Sequence, residues 1–280
     1  MWKRRMIKTA RGKFEVFVQG EGEPVCITHL YSEFNDLGYY FADAFVDDFE
    51  VYLVNLKGAG CSTKPAMDTE MSMKESVRDL EAIREELDLE QWGFAGHSTG
   101  GMLGLVYATC FPDSLSKVMV GGATATNKYM EHEGSMYSPS SPLNERWKEI
   151  FSILASSEQT IDKKRAARRE WTDMSLYNKG NRERYFQNPS SGKIVQRRLD
   201  YFSFNDLPHF DIQDELTEVG IPAIVYCGRH DAQCPPIFSE DMDARLKNSK
   251  LYIFEESNHF PYLEENDRFI TMISDFRRMK

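Results

Sequence analysis

The stretch Trp92-Gly93-Phe94-Ala95-Gly96-His97-Ser98-Thr99-Gly100-Gly101-Met102-Leu103-Gly104-Leu105-Val106-Tyr107-Ala108 decides how this chain is read. Trp92 to Ala95 is a short apolar run with the character of a buried strand. Gly101 to Ala108 reads as a helix packed on a sheet. Between them stands a G-x-S-x-G pentapeptide, and strand, sharp turn and helix around that pattern make a nucleophile elbow. Such a turn forces the serine into a strained conformation. Glycine two residues to either side removes the Cβ atoms that would collide. The strain lifts the Ser98 hydroxyl above the sheet, at the N-terminus of the next helix, where the helix dipole favours a developing negative charge.

Upstream of the elbow, residues 4–9 and 13–18 alternate like two strands joined at Arg11-Gly12. A third strand opens at Pro24 and ends in His29-Leu30-Tyr31. Residues 38–46 are expected to be helical and Val51-Val54 to be a buried strand, followed by the glycine-rich loop 55–62. Met73 to Leu87 carries Val77, Leu80, Ile83 and Leu87 on one face of a helix. Downstream of the elbow helix, which Pro112 ends, Val118 to Gly122 is another strand. This alternation implies a mostly parallel, doubly wound α/β sheet with helices on both faces.

The pattern changes at Ala123. From 124 to 210 the sequence shows polar helical stretches with scattered aromatics and no clear strand. After Ile221-Pro222 the alternation returns: a strand at 223–227, a helix at 237–246, a strand at 251–254 and a closing helix at 261–278. The expected organisation is a core of residues 1–123 and 211–280, with a helical cap inserted as 124–210, above the C-terminal ends of the strands.

A serine nucleophile needs a base, and the base needs an orienting carboxylate. On a sheet of this kind the chain order is serine, acid, histidine. Of six histidines, only His259 follows a strand-end acid, and it lies in the loop between the last strand and the last helix. The acid is Asp231, in Gly228-Arg229-His230-Asp231. Asp241 and Asp243 fall within an expected surface helix. His97 reads as packing under the site, His29 as a partner of loop backbone, and His230 as a turn residue. Lys163, Lys164, Arg165, Arg168 and Arg169 read as a solvated helix face.

These residues together resemble the α/β-hydrolase superfamily over nearly the whole chain. Within it, Ser98-Thr99-Gly100-Gly101, Gly228-Arg229-His230-Asp231 and Ser257-Asn258-His259 look most like the proline iminopeptidase-related group and small serine esterases. Asn55-Leu56-Lys57-Gly58-Ala59-Gly60-Cys61-Ser62 is similar to the family's D-x-R-G-x-G-x-S loop, with Asn55 and Lys57 in place of the acid and the arginine. A second departure is His29-Leu30-Tyr31, where the family has His-Gly. In the family this loop supplies one oxyanion donor. The resemblance therefore implies the backbone N–H groups of Thr99 and of Tyr31, with Leu30 as second choice.

A net charge of −10 argues against general nucleic-acid binding. No apolar run is long enough for a membrane span, and the basic N-terminus lacks the apolar core of a signal peptide. Five cysteines without metal spacing suggest a reducing, cytoplasmic protein with no cofactor and no metal. The expected activity is hydrolysis of a small-molecule acyl substrate, such as a carboxylic ester. The alternatives are a proline iminopeptidase-like aminopeptidase, a lactonase, C–C bond hydrolase or perhydrolase, and a ligand receptor on the same fold. An aminopeptidase must hold an ammonium group, for which Glu131 and Glu133 are the available carboxylates, although basic residues slightly outnumber acidic ones over 124–210.

Overall fold

The computed structural model describes residues 1–156 and 158–280. Eight strands form the central sheet: β1 (Lys3–Thr9), β2 (Gly12–Gln19), β3 (Pro24–Ile27), β4 (Glu50–Val54), β5 (Trp92–His97), β6 (Leu115–Gly121), β7 (Ala223–Gly228) and β8 (Ser249–Phe254). Their order across the sheet is β1-β2-β4-β3-β5-β6-β7-β8. β2 runs antiparallel to both neighbours, and from β4 to β8 every pairing is parallel.

Alternation along the strands sorts the core into two layers, because successive side chains point to opposite faces. Cys26, Tyr52, Val54, Phe94, Val118, Val120 and Val225 join one cluster. Val25, Ile27, Val51, Leu53, Ala95, Met119, Ile224 and Tyr226 join the other. The first face is covered by α1 (Met73–Glu86) and α2 (Thr99–Cys110), which follows the elbow. In α1, the Ser72 side chain caps the N-terminus by accepting from Glu75 N–H at 3.2 Å. Its residues Val77, Leu80 and Ile83 are buried at helical spacing. α2 has no charged residue, and ten of its residues, Thr99 to Ala108, are buried. It is enclosed rather than amphipathic. The second face is covered by the last helix, through Phe269, Met272, Ile273 and Phe276.

Between β6 and β7 lie α3 (Asn144–Ala155), α4 (Ile161–Met174) and shorter helical turns. Met136, Ile150, Ala167 and Met174 form a separate small cluster there, while Phe202 and Phe210 return to the main core. This stretch does contain a strand, contrary to the expectation of none. Lys193–Ile194 pairs antiparallel with Ser32–Glu33. Two residues are too few to carry a period, so nothing in the sequence marks the pairing.

Two helices also differ from expectation. Over 38–46 only Tyr40–Asp43 is α-helical. Beyond it the chain tightens into turns, with Phe45 N–H donating to Ala42 O and Asp48 N–H to Phe45 O, both at 3.1 Å. The closing helix is split into Pro261–Glu264 and Asn266–Arg278. Glu265 sits between them at φ −121° and ψ 54°. Its carboxylate turns back to Glu256 N–H at 2.9 Å and the Ser257 hydroxyl at 2.8 Å.

Candidate active site

Ser98 has φ 56° and ψ −128°, one of two non-glycine residues with positive φ among those described. The spacing of the glycines follows from this turn. A Cβ on Gly96 would lie 2.2 Å from Gly100 O, and one on Gly100 would lie 2.4 Å from Thr28 O. The turn is pinned by Ser98 N–H donating to Gly121 O at 2.9 Å. Ser98 remains partly exposed while its neighbours His97 and Thr99 are buried.

Asp231 follows the C-terminal end of β7, and its Oδ1 accepts from Gln233 N–H and Cys234 N–H, each at 2.8 Å. These two donors fix the carboxylate plane. His259 Nδ1 lies 2.9 Å from Oδ2 and 3.1 Å from Oδ1 of Asp231. The pair is sequestered, with His259 only 2% exposed and Asp231 3%. With Nδ1 committed to the carboxylate, Nε2 is the remaining ring nitrogen. The Gly121-Gly122 turn touches both the serine and the histidine. Gly121 O holds Ser98 N–H, and a Cβ on Gly122, whose φ is 53°, would lie 3.1 Å from His259 Cε1. The fold thus brings the three expected residues to one end of the sheet. The other two acids of this stretch are engaged elsewhere: Asp241 pairs with Arg245 at 2.9 Å, and Asp243 Oδ1 accepts from the Ser249 hydroxyl at 2.7 Å.

Two other histidines support this arrangement as packing and loop residues. His97 lies beneath His259, with ring centroids 4.6 Å apart, and its Nδ1 is 2.9 Å from the Tyr226 hydroxyl. Burial, then the proximity of His259, lowers the His97 pKa well below the usual imidazole range. His29 bridges the loop that follows β3 to the start of α2. Its Nδ1 receives Tyr31 N–H at a long 3.4 Å and lies 3.1 Å from the Ser32 hydroxyl, while Nε2 is 3.2 Å from Thr99 Oγ1. This network fits the tautomer protonated on Nε2. Burial lowers the His29 pKa to about 3, helped by the nearby His259 and Arg198.

Thr99 N–H and Leu30 N–H have no hydrogen-bond acceptor among the described residues. Tyr31 is half-buried, and its phenol pKa is raised to about 12 by burial. Glu131 and Glu133 are both exposed. The surroundings of Asn55 give a reason for its replacing the family acid. The Asn55 amide donates to Glu15 Oε2 at 2.9 Å and to Phe34 O at 3.0 Å while accepting Phe34 N–H at 2.7 Å. A carboxylate could not donate, and it would repel the buried Glu15. Lys57 reaches Glu70 at 3.3 Å and Asp79 at 3.4 Å.

Sequence reading missed the residues that support the pair. Gln233 Nε2 donates to Ser175 Oγ at 2.9 Å, and the Tyr137 hydroxyl donates to Gln233 Oε1 at 2.5 Å. Ser175 O accepts the backbone N–H of His259 at 3.1 Å. Glu264 accepts from Tyr177 N–H at 2.6 Å and Asn258 N–H at 2.7 Å, tying the histidine loop to the segment after α4. None of these carries a spacing signal. No group of His, Cys, Asp and Glu suited to a metal occurs among the described residues, and no helix there is long and apolar enough to cross a membrane.

An elbow serine, a buried histidine–aspartate pair and this strand order define a hydrolase of the α/β class. The family model described as alpha/beta hydrolase fold matches residues 16–266, and the chain belongs to that family. An alpha/beta fold family hydrolase from Bacillus anthracis str. Sterne superposes with a TM-score of 0.97 at 47% identity, covering 99% of each chain. A proline iminopeptidase from Heyndrickxia coagulans is 25% identical over 95% of this chain and 94% of its own. An esterase from Exiguobacterium antarcticum shares the fold at a TM-score of 0.71 and 20% identity, covering 98% of each chain.

Proposed function

We propose that this chain is a cofactor-independent serine hydrolase that cleaves small carboxylic esters through an acyl-enzyme on Ser98. Asp231 holds His259 through Nδ1 and so keeps Nε2 free as the base. His259 takes the Ser98 proton as Oγ attacks the acyl carbon, and returns it to the leaving alcohol as the tetrahedral intermediate collapses. Water then attacks the acyl-enzyme with the same base, which releases the acid and restores the serine. The N–H groups of Thr99 and of Tyr31, with Leu30 as second choice, receive the oxyanion, each worth roughly 3–4 kcal/mol in comparable sites, and Tyr31 N–H gives up its long contact with His29 Nδ1 to do so. Residues 124–210 serve as a cap over the strand ends and shape the substrate cleft.

The observation that carries this reading is the conjunction of Ser98 at positive φ with the buried Asp231–His259 pair, both against Gly121-Gly122. The aminopeptidase reading has support in the name of the 25% identical relative. It requires carboxylates beside the nucleophile, and exposed Glu131 and Glu133 are poor candidates, because a solvated carboxylate gains little from holding an ammonium group. Neutral esters fit better, and lactone, C–C bond or perhydrolase chemistry would reuse the same triad. Labelling by a fluorophosphonate should map to Ser98, and Ser98→Ala should lower turnover by roughly three to six orders of magnitude with the fold intact. Labelling at another serine refutes the assignment, and absence of any turnover favours a ligand receptor. Comparing kcat/KM for p-nitrophenyl butyrate and proline p-nitroanilide separates esterase from aminopeptidase. Preference for the prolyl compound, abolished by Glu131→Gln or Glu133→Gln, would reverse the choice.

A further inference from the structure

Arg198 is the one arginine among the largest fully buried side chains, at 2% exposure. It lies in the short helix Gln196–Tyr201, far along the chain from every group its guanidinium bonds. No carboxylate lies within ion-pair distance of it among the described residues. Its guanidinium instead donates to main-chain carbonyls: Nε to Leu30 O, one terminal nitrogen to Lys57 O at 2.8 Å, and the other to Met71 O at 3.3 Å and to the Ser76 hydroxyl at 2.8 Å. Burying a cation against neutral acceptors is costly, and burial lowers its pKa to about 10. A neutral amide side chain could make some of these ties without burying a charge, so the charge calls for a role.

The Leu30 carbonyl belongs to the same peptide unit as the Tyr31 N–H. The unit is planar and trans, so its C=O and N–H point in opposite directions. A guanidinium fixed on the oxygen therefore fixes where the N–H points, which in the free protein is toward His29 Nδ1 at a long 3.4 Å, a contact that an oxyanion would replace. It also polarises the amide and makes the N–H a stronger donor. The next peptide is held from the same segment, as Val195 N–H donates to Tyr31 O at 2.8 Å. The Leu30 side chain, 1% exposed, anchors the loop from the core side.

We infer that Arg198 is the positioning residue of the oxyanion loop: it orients and polarises the Leu30–Tyr31 peptide so that Tyr31 N–H meets the developing oxyanion. This rests on the serine-hydrolase reading of Ser98. Arg198 itself touches no reacting atom.

The test uses the full chain with Arg198→Met, Arg198→Lys and Arg198→Ala, and Ser76→Ala as a control that removes a partner remote from the loop. The readouts are kcat and KM on p-nitrophenyl butyrate, the rate of fluorophosphonate labelling at Ser98, and the thermal midpoint. Arg198→Met should lower kcat and the labelling rate together, by about 10- to 100-fold, with KM within about threefold. A single oxyanion donor lost outright costs about 10²–10³ in kcat. Arg198→Lys should recover part of the loss, and millimolar guanidinium should partly restore Arg198→Ala. Ser76→Ala should lower only the thermal midpoint. A folded Arg198→Met protein with wild-type kcat and labelling overturns the inference, as does a loss confined to KM or to the midpoint. Should Arg198→Met not fold, Arg198→Lys decides: lowered kcat at an unchanged midpoint supports the role, and unchanged kcat overturns it. A wild-type protein that is not labelled at Ser98 overturns the serine-hydrolase reading and this inference with it. Normal labelling of the wild type beside unaffected Arg198 variants overturns this inference alone.

Discussion

His29 gives the fold a pH dependence whose size can be worked out. In the native state its pKa is about 3, against 6.5 for an ordinary imidazole. The unfolded chain therefore binds a proton below pH 6.5 that the folded chain refuses until about pH 3. Stability must fall as pH falls through that window. At pH 5.0, 1.5 units below the unfolded value, the loss is 1.5 × 1.36, or about 2 kcal/mol. The figure hardly depends on the native pKa so long as that lies well below 5. His29→Gln removes the titration and keeps an amide near Thr99. Other groups also act in the window: His97 has the same sign, and Asp206 the opposite. They are common to both proteins and cancel in the difference. Urea unfolding of wild type and variant at pH 7.5 and 5.0 gives that difference directly. The wild type should lose about 2 kcal/mol relative to His29→Gln between the two pH values. Parallel behaviour would refute the reasoning, since it would mean that His29 takes its proton as readily in the folded state as in the unfolded one.

Asp231→Asn should lower kcat by about 10⁴ by allowing the wrong imidazole tautomer, with KM little changed in steady-state ester hydrolysis; near-wild-type turnover would place the acid elsewhere. Gly100→Ala sets a Cβ 2.4 Å from Thr28 O, a backbone atom with little room to give, so the elbow must shift. Phosphonate labelling should slow more than tenfold and the thermal midpoint should drop. Asp206 has its pKa raised to about 6, chiefly by burial, from the ordinary 3.8. Its contribution is present at low pH and is lost as pH rises from 3.8 to 6. Asp206→Asn should therefore gain roughly 2 kcal/mol on wild type between pH 4 and 7 in urea unfolding, discounted for partial exposure.

The elbow was legible because its geometry is local. Gly96, Ser98 and Gly100 make one another necessary within five residues, and the enclosing strand and helix have clear patterns. The doubly wound sheet was legible for a similar reason, since the inner strands from β3 to β7 are buried on both faces and read as apolar runs. Asp231 and His259 were singled out by chain order and by their places at strand ends, and the structure pairs their side chains. The Lys193–Ile194 strand, the break at Glu265 and the shortness of the Tyr40–Asp43 helix were not legible. Each depends on partners distant in the chain, or on one side chain turning back, and neither leaves a periodic trace.

The same division runs through the site. Ser98 owes its position to its own turn, and its main-chain N–H is held by Gly121 O. The other parts are held from the stretch between β6 and β7. Ser175 O takes His259 N–H, Gln233 links Asp231 to Ser175 and Tyr137, and Tyr177 N–H meets Glu264 beside the histidine loop. Arg198 and Val195 hold the two peptides that flank Tyr31 from 168 and 164 residues away. A segment that makes these contacts at once cannot swing clear without disturbing His259, Asp231 and the Leu30–Tyr31 loop together. Substrate entry by rigid opening of the whole segment would therefore dismantle the machinery that it is meant to expose. Entry by movement of side chains and of the stretches that make none of these bonds leaves the machinery assembled, and is the less costly route.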